Sequence, residues 1–128
     1  MSVPARAGAV IYAKNLEAIS VFYEKLLFMA RAYDGAEFRI LESPDFQLVV
    51  HVIPSHIASE IVIESPPIPR SETAIKLFFT TPSLAAARRE APSLGGAVFE
   101  ETWDGPRFRA CNGCDPEGNI FQLREFTA

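Results

Sequence analysis

The sequence predicts an α+β fold made of two βαβββ modules, with curved mixed sheets around a cleft and helices outside. Three observations predict it. Apolar periodicity over about residues 6–53 reads β-α-β-β-β. A proline-broken stretch, about 54–72, interrupts the pattern, and the same order restarts over about 73–128. The whole chain, at 128 residues, has room for one ordinary domain or two very small fused modules. We therefore read residues 1–128 as a single domain with an internal repeat of element order.

In the first module, Gly8 to Ala13 is small, apolar and compatible with a strand. Asn15 is placed to cap the helix that follows, because its side-chain oxygen can accept a free amide of the first turn. Leu16, Ile19, Phe22, Tyr23, Leu26 and Leu27 then form the 3.6-residue stripe of a half-buried helix. Met29–Tyr33, Glu37–Leu41 and Phe46–Ile53 read as strands, separated by Asp34-Gly35 and Ser43-Pro44-Asp45, both turn chemistry.

Pro54, Pro66, Pro67 and Pro69 break any long element in the connector. Residues Ile57–Ile63 read as a short strand or a helical turn. Ile57, Ile61, Val62, Ile63 and Ile68 are too apolar for a free linker, so the connector is expected to pack on the body. The second module begins with a strand at Ala74–Thr80. Ser83 caps a helix from Leu84 to about Leu94, kinked or shortened by Pro92 and stopped by Gly95-Gly96. Ala97–Thr102, Arg107–Ala110 and Ile120–Glu125 read as strands, with turns at Asp104-Gly105-Pro106 and Asn112–Asn119.

Composition excludes several functions. Net charge is -4, and no basic stripe exists to track phosphates, which argues against nucleic acid. The basic pair Arg88-Arg89 reads as a solvated helix face. No apolar run approaches the roughly 20 residues of a membrane helix, and Met1 to Arg6 lacks a signal-peptide pattern, so the expected location is the cytoplasm. Two cysteines are too few to staple a secreted domain and are expected as reduced thiols. Ten Phe residues point to a well-filled core, an aromatic-lined pocket, or both.

The segment Asp115-Pro116-Glu117-Gly118-Asn119-Ile120-Phe121-Gln122-Leu123 resembles the Asp-Pro-(Asp/Glu)-Gly-Asn turn that leads into the last strand of the glyoxalase/bleomycin-resistance/dioxygenase (vicinal oxygen chelate) superfamily. Asn15-Leu16-Glu17-Ala18, followed by Phe22-Tyr23 and Leu26-Leu27, is similar to that family's first-helix signature. Asn15 stands where Asp is usual and Phe28 where Gly is usual. Leu94-Gly95-Gly96 resembles the end of its second helix. The resemblance covers both modules. It implies paired modules enclosing a ligand cleft, commonly in a symmetric homodimer.

It also implies four metal-ligand positions. Seven residues before the two helix starts stand Gly8 and Lys76. Three residues after the turn Asn stands Gln122. The fourth position lies on the fourth strand, where Gln47, Val49 and His51 share a face. Gly has no side chain, an ammonium has no lone pair, and Gln is a weak neutral ligand, so no metal cofactor is expected. The same positions suit an anion or a carbonyl instead. Lys76 supplies a point charge, and Arg124 can form a bidentate pair with a carboxylate. Tyr12 and Gln122 offer orienting hydrogen bonds, while Phe78 and Trp103 offer stacking surface. His51 and Lys76 are the candidate catalytic groups; His56, in the connector, is a weaker candidate base.

Cys111-Asn112-Gly113-Cys114 is a Cys-x-x-Cys without a second ligand pair, placed in an expected turn rather than at the start of a helix. It reads as structural rather than as a metal or redox motif. The function these residues favour is binding of a small organic ligand, anionic or carbonyl-containing, without the family's metal. Two alternatives stay open: a lyase, isomerase or dioxygenase that uses a divalent metal, and a non-catalytic partner domain with a filled cleft.

Overall fold

The computed structural model describes residues 4–127. Its contacts divide the chain between Val62 and Ile63 into two compact units. The first contains β1 (Gly8–Ala13), α1 (Leu16–Leu27), β2 (Ala30–Asp34), β3 (Phe38–Ser43), β4 (Phe46–Val52) and the one-turn helix α2 (Ser55–Ala58). Its sheet has the order β1-β4-β3-β2, with β1 and β4 parallel and the other pairs antiparallel.

Helix α1 starts where Asn15 accepts a hydrogen bond from the Ala18 amide at 3.0 Å. Its apolar stripe, Ile19, Phe22, Tyr23 and Leu26, is buried with Leu41 of β3 and Leu48 and Val50 of β4. Each such side chain contributes roughly 2 kcal/mol on leaving water, so tertiary burial rather than intrinsic propensity holds a helix this short. Two arginines on the same side of the sheet clamp the acidic side of α1. Arg31 pairs with Glu24, and Arg39 reaches both Glu17 and Asp34 at 2.8 Å. The helix ends at Phe28, which takes a left-handed conformation (φ 56°, ψ 38°) and is 72% exposed.

The second unit contains β5 (Leu77–Thr80), α3 (Leu84–Glu90), a 3₁₀ turn (Ala91–Leu94), β6 (Ala97–Gly105), β7 (Phe108–Cys114) and β8 (Ile120–Phe126). Its order is β5-β8-β7-β6, again with one parallel pair, β5 and β8. Ser83 caps α3 through the Ala86 amide at 3.0 Å. Pro92 turns the last part of the helix into the 3₁₀ segment, and Gly95 (φ 92°) ends it. Leu84 and Ala87 of α3 are buried with Val98, Phe121 and Leu123. Each unit is therefore a four-stranded mixed sheet with its helix on one face, which is the predicted βαβββ order twice over.

Four expectations need correction. The connector holds only one helical turn and no strand, and its apolar side chains are not all packed: Val62 is 81% and Ile68 67% exposed. Backbone groups anchor it instead. Lys14 donates to the Ile61 carbonyl, and the Arg70 amide donates to the Gly118 carbonyl at 2.8 Å. Strand β5 begins only at Leu77, so Lys76 precedes the ladder. Strands β6 and β7 are longer than predicted, and β7 runs through the Cys-x-x-Cys segment. Gly113 is there for close approach, not for a turn: a Cβ on it would lie 2.6 Å from the Ala97 carbonyl oxygen and 2.8 Å from the Phe121 ring. Finally, Arg88 is half-buried and donates to the Phe99 carbonyl at 3.0 Å, while Arg89 is exposed.

The turn between β7 and β8 is closed by one buried carboxylate. Asp115 Oδ1 accepts from the amides of Glu117 and Asn119 at 2.9 and 3.0 Å, and Oδ2 accepts from Asn119 Nδ2 at 2.8 Å. Gly118 (φ 86°) is held under the connector, where a Cβ would stand 2.3 Å from the Ile68 carbonyl oxygen. Among the described residues, no helix is long and apolar enough to cross a membrane.

Two stability outcomes follow. Asp115→Ala leaves three donors without their acceptor and is expected to cost about 3 kcal/mol in urea unfolding; a cost under about 1 kcal/mol would show that other contacts close the turn. Phe28→Gly removes a left-handed non-glycine residue and is expected to raise stability by about 1 kcal/mol.

Candidate functional site

Strand alternation gives each sheet a helix-covered face and an open face. On the open face of the first unit, β1 contributes Gly8, Val10 and Tyr12, β4 contributes Gln47, Val49 and His51, and β3 contributes Phe38, Ile40 and Glu42. The register puts Tyr12, His51 and Phe38 in one row. Their ring centroids lie 5.5 Å and 5.9 Å apart, and Tyr33 stacks on Phe38 at 4.8 Å, so an aromatic row crosses all four strands. His51 Nδ1 lies 2.8 Å from the Val52 carbonyl oxygen. A carbonyl only accepts, so Nδ1 is the donor in this contact. At the other end of the face, Gln47 donates to Glu42 at 2.7 Å. His56 lies apart from this face, exposed on α2.

The open face of the second unit carries Phe78 and Thr80 of β5, Ile120, Gln122 and Arg124 of β8, and Asn112 of β7. Lys76 donates to Asn112 Oδ1 at 3.2 Å, and its ammonium stands 5.8 Å from the centre of the Trp103 ring. Arg124 donates from Nε to Gln122 Oε1 at 2.6 Å. Its guanidinium carbon is 3.7 Å from the centre of the Phe78 ring and 4.3 Å from that of Phe108. The structure thus gathers Lys76, Phe78, Trp103, Gln122 and Arg124 in the second unit, and places Tyr12 and His51 together in the first.

Next to Lys76 the second unit holds a pocket of about 470 Å³. Phe99, Ile120 and Pro69 form its apolar wall, and Arg70, Ser71, Thr73, Lys76 and Asn112 supply polar groups. No carboxylate lines it among the described residues. Arg70 is the residue that sequence reasoning missed. Its Nε donates to the Glu117 carbonyl at 3.0 Å, and its backbone bridges to Asn119. That placement depends on a connector folding back on the Asp115 turn, for which no local sequence signal exists.

The donor set does not fit the divalent metal that the family resemblance implies. Gly8 is closed against the Gln47 carbonyl, where a Cβ would stand only 2.6 Å away. Lys76 brings a positive charge, and the Gln122 oxygen is already engaged by Arg124. Among the described residues, no group of three His, Cys, Asp or Glu side chains is placed to hold a metal.

Cys111 and Cys114 are both buried and free. Three residues apart on an extended strand, their side chains leave opposite faces of the sheet, so they do not form a pair. Burial pushes both thiols up, with the Asp115 charge adding to the effect at Cys114.

The Phe residues divide between the core and the open faces, and Phe99 alone of them lines the pocket. Phe22 and Phe121 are core, whereas Phe38, Phe78 and Phe108 stand on the open faces.

No protein-family model matches the sequence, and no curated protein matches it. Solved structures do match in shape. A glyoxalase-related enzyme from Fulvimarina pelagi superposes with a TM-score of 0.67 at 16% identity, over 96% of this chain and 88% of that one. A glyoxalase/bleomycin resistance protein/dioxygenase family enzyme from Burkholderia phytofirmans gives 0.66 at 14% identity, over 96% and 99%. A glyoxalase/bleomycin resistance protein from Albidiferax ferrireducens gives 0.65 at 16% identity, over 93% and 96%. The chain therefore has the glyoxalase/bleomycin-resistance/dioxygenase fold. At these identities the likeness is one of fold.

The thiol environment gives a pH test. An ordinary thiol ionises near about pH 8.5. Since folding raises both thiols, the stability they contribute is complete below that pH and falls above it, as the unfolded chain releases protons that the folded chain keeps. The urea midpoint is expected to drop more between pH 7.5 and 9.5 in wild type than in the Cys111→Ala/Cys114→Ala variant. An equal drop in both would contradict the assignment.

Proposed function

We propose that this protein binds a small organic anion, carboxylate- or carbonyl-bearing, on the open face of its second unit, and that it does so without a metal. One observation carries the reading: the pocket beside β5 presents two cations, Arg70 and Lys76, and no carboxylate, in a chain whose net charge is -4. A chance surface hollow on an acidic protein would more often expose acidic groups. The volume lies within the range of roughly 300–1,000 Å³ typical of small-ligand sites. Lys76 is steered by Asn112 and Trp103, and Arg70 by the Glu117 carbonyl, so both charges are partly ordered before a ligand arrives. Ser71, Thr73 and Asn112 offer hydrogen bonds for a carbonyl or hydroxyl, and Phe99 and Ile120 offer apolar contact.

In this reading Lys76 is a binding cation rather than a base. The reading further takes the protein to work in the cytoplasm as a homodimer. Support for the dimer is physical: each sheet ends on two edge strands, β1 and β2 in the first and β5 and β6 in the second, and edge strands favour pairing or cover. Sedimentation at micromolar concentration is expected to give twice the chain mass of 14.1 kDa.

Titration calorimetry with 2-oxobutyrate and with its methyl ester tests the ligand class. The acid is expected to bind at least about tenfold more tightly than the ester, with an affinity that falls as salt rises. Arg70→Gln combined with Lys76→Gln is expected to erase that difference. Equal binding of acid and ester by wild type would sink the proposal.

A further inference from the structure

Arg124 is held by two aromatic rings and one amide side chain. The rings of Phe78 and Phe108, from the two strands that flank β8, cover its guanidinium at 3.7 Å and 4.3 Å. Gln122 Oε1 takes the Nε–H at 2.6 Å. Glu125, its neighbour in sequence, is turned away and accepts from the Leu84 amide at 2.7 Å. Of the five N–H donors of a guanidinium, the four on Nη1 and Nη2 have no partner among the described residues.

This arrangement constrains what can bind. A carboxylate can grip arginine side-on, through Nε and one Nη, or end-on, through Nη1 and Nη2. Gln122 blocks the first mode, so only the end-on fork remains. Two in-plane oxygens suit that fork. A third, out-of-plane oxygen would turn toward the aromatic faces, whose quadrupole is negative. The rings and Gln122 also fix the guanidinium beforehand, so little rotamer freedom is lost when an anion docks.

We infer that Arg124 is a carboxylate-recognition subsite that takes a planar carboxylate end-on, in the plane of its guanidinium, and discriminates against tetrahedral anions. It is separate from the Arg70/Lys76 pocket. Arg124 does not line that pocket, and the two places adjoin at Gln122, which bonds Arg124 and pairs in register with the pocket residue Asn112. The subsite extends the proposed ligand face and can fail independently of the pocket.

The experiment titrates benzoate, benzenesulfonate and phenylphosphonate into ¹⁵N-labelled full-length protein and follows backbone amides by NMR. Benzoate is expected to shift the amides of Phe78, Phe108 and Arg124, and to bind there at least about tenfold more tightly than either tetrahedral anion. Arg124→Lys, which keeps the charge but loses the fork, is expected to weaken benzoate by about tenfold or more. Phe108→Leu, which keeps arginine but uncovers one face, is expected to shrink the preference for the planar anion. Benzoate shifts confined to Arg70, Lys76 and their neighbours would overturn the subsite and leave the pocket reading standing. Equal affinity for planar and tetrahedral anions at Arg124 would also overturn it. No shift from any of the three anions, at either place, would overturn both.

Discussion

The buried carboxylate of Asp115 closes the turn before β8, and much of the second unit takes its geometry from that closure. By holding the Glu117 and Asn119 amides and the Asn119 side chain, it fixes where β8 begins. A strand that started one residue earlier or later would send Gln122 and Arg124 to the helix side and Phe121 and Leu123 to the open side. The same turn gathers the chain around it. Gly118 lets the connector pass at Ile68, Arg70 bonds to Glu117 and Gly118, and Gly95 at the end of the 3₁₀ segment meets Pro116. One polar knot therefore sets the phase of the central strand and also delivers a cation to the pocket.

The two units repeat an architecture but not a chemistry. In each, a capped helix covers one face of the sheet and leaves the other open. The first unit fills its open face with a row of rings, Tyr33, Phe38, His51 and Tyr12, and with the hydrogen-bonded pair Gln47 and Glu42. The second spreads cations over its own, each anchored by an amide side chain and an aromatic: Lys76 by Asn112 and Trp103, Arg124 by Gln122, Phe78 and Phe108. Guanidinium and ammonium groups placed this way repel metal ions and attract anions. The scaffold is shared with the glyoxalase/bleomycin-resistance fold, and the proposed anion site rests on these anchored cations of the second unit.

The sequence was most informative where one residue acts on its nearest neighbours. Asn15 and Ser83 cap the helices expected of them, because an N-cap bond spans three residues. The stripe of α1 is buried as its periodicity implies. Misreadings arose where one residue type serves two purposes. Asn112-Gly113 has turn chemistry, yet Gly113 sits in mid-strand because Phe121 and the Ala97 backbone leave no room for a Cβ. The connector isoleucines looked like core, yet backbone bonds do the anchoring.

The residues alone determined the doubled βαβββ order and the helix starts at Asn15 and Ser83, and they supplied candidate site residues, since each rests on periodicity, capping or turn chemistry within a few positions. Tertiary structure decided how that cast is grouped. Which strands stand side by side placed Phe78 and Phe108 on either side of Arg124, and Asn112 within reach of Lys76. Folding of the connector onto the Asp115 turn brought in Arg70. Strand order and long-range register come from hydrogen bonds between distant segments, and no local pattern encodes those.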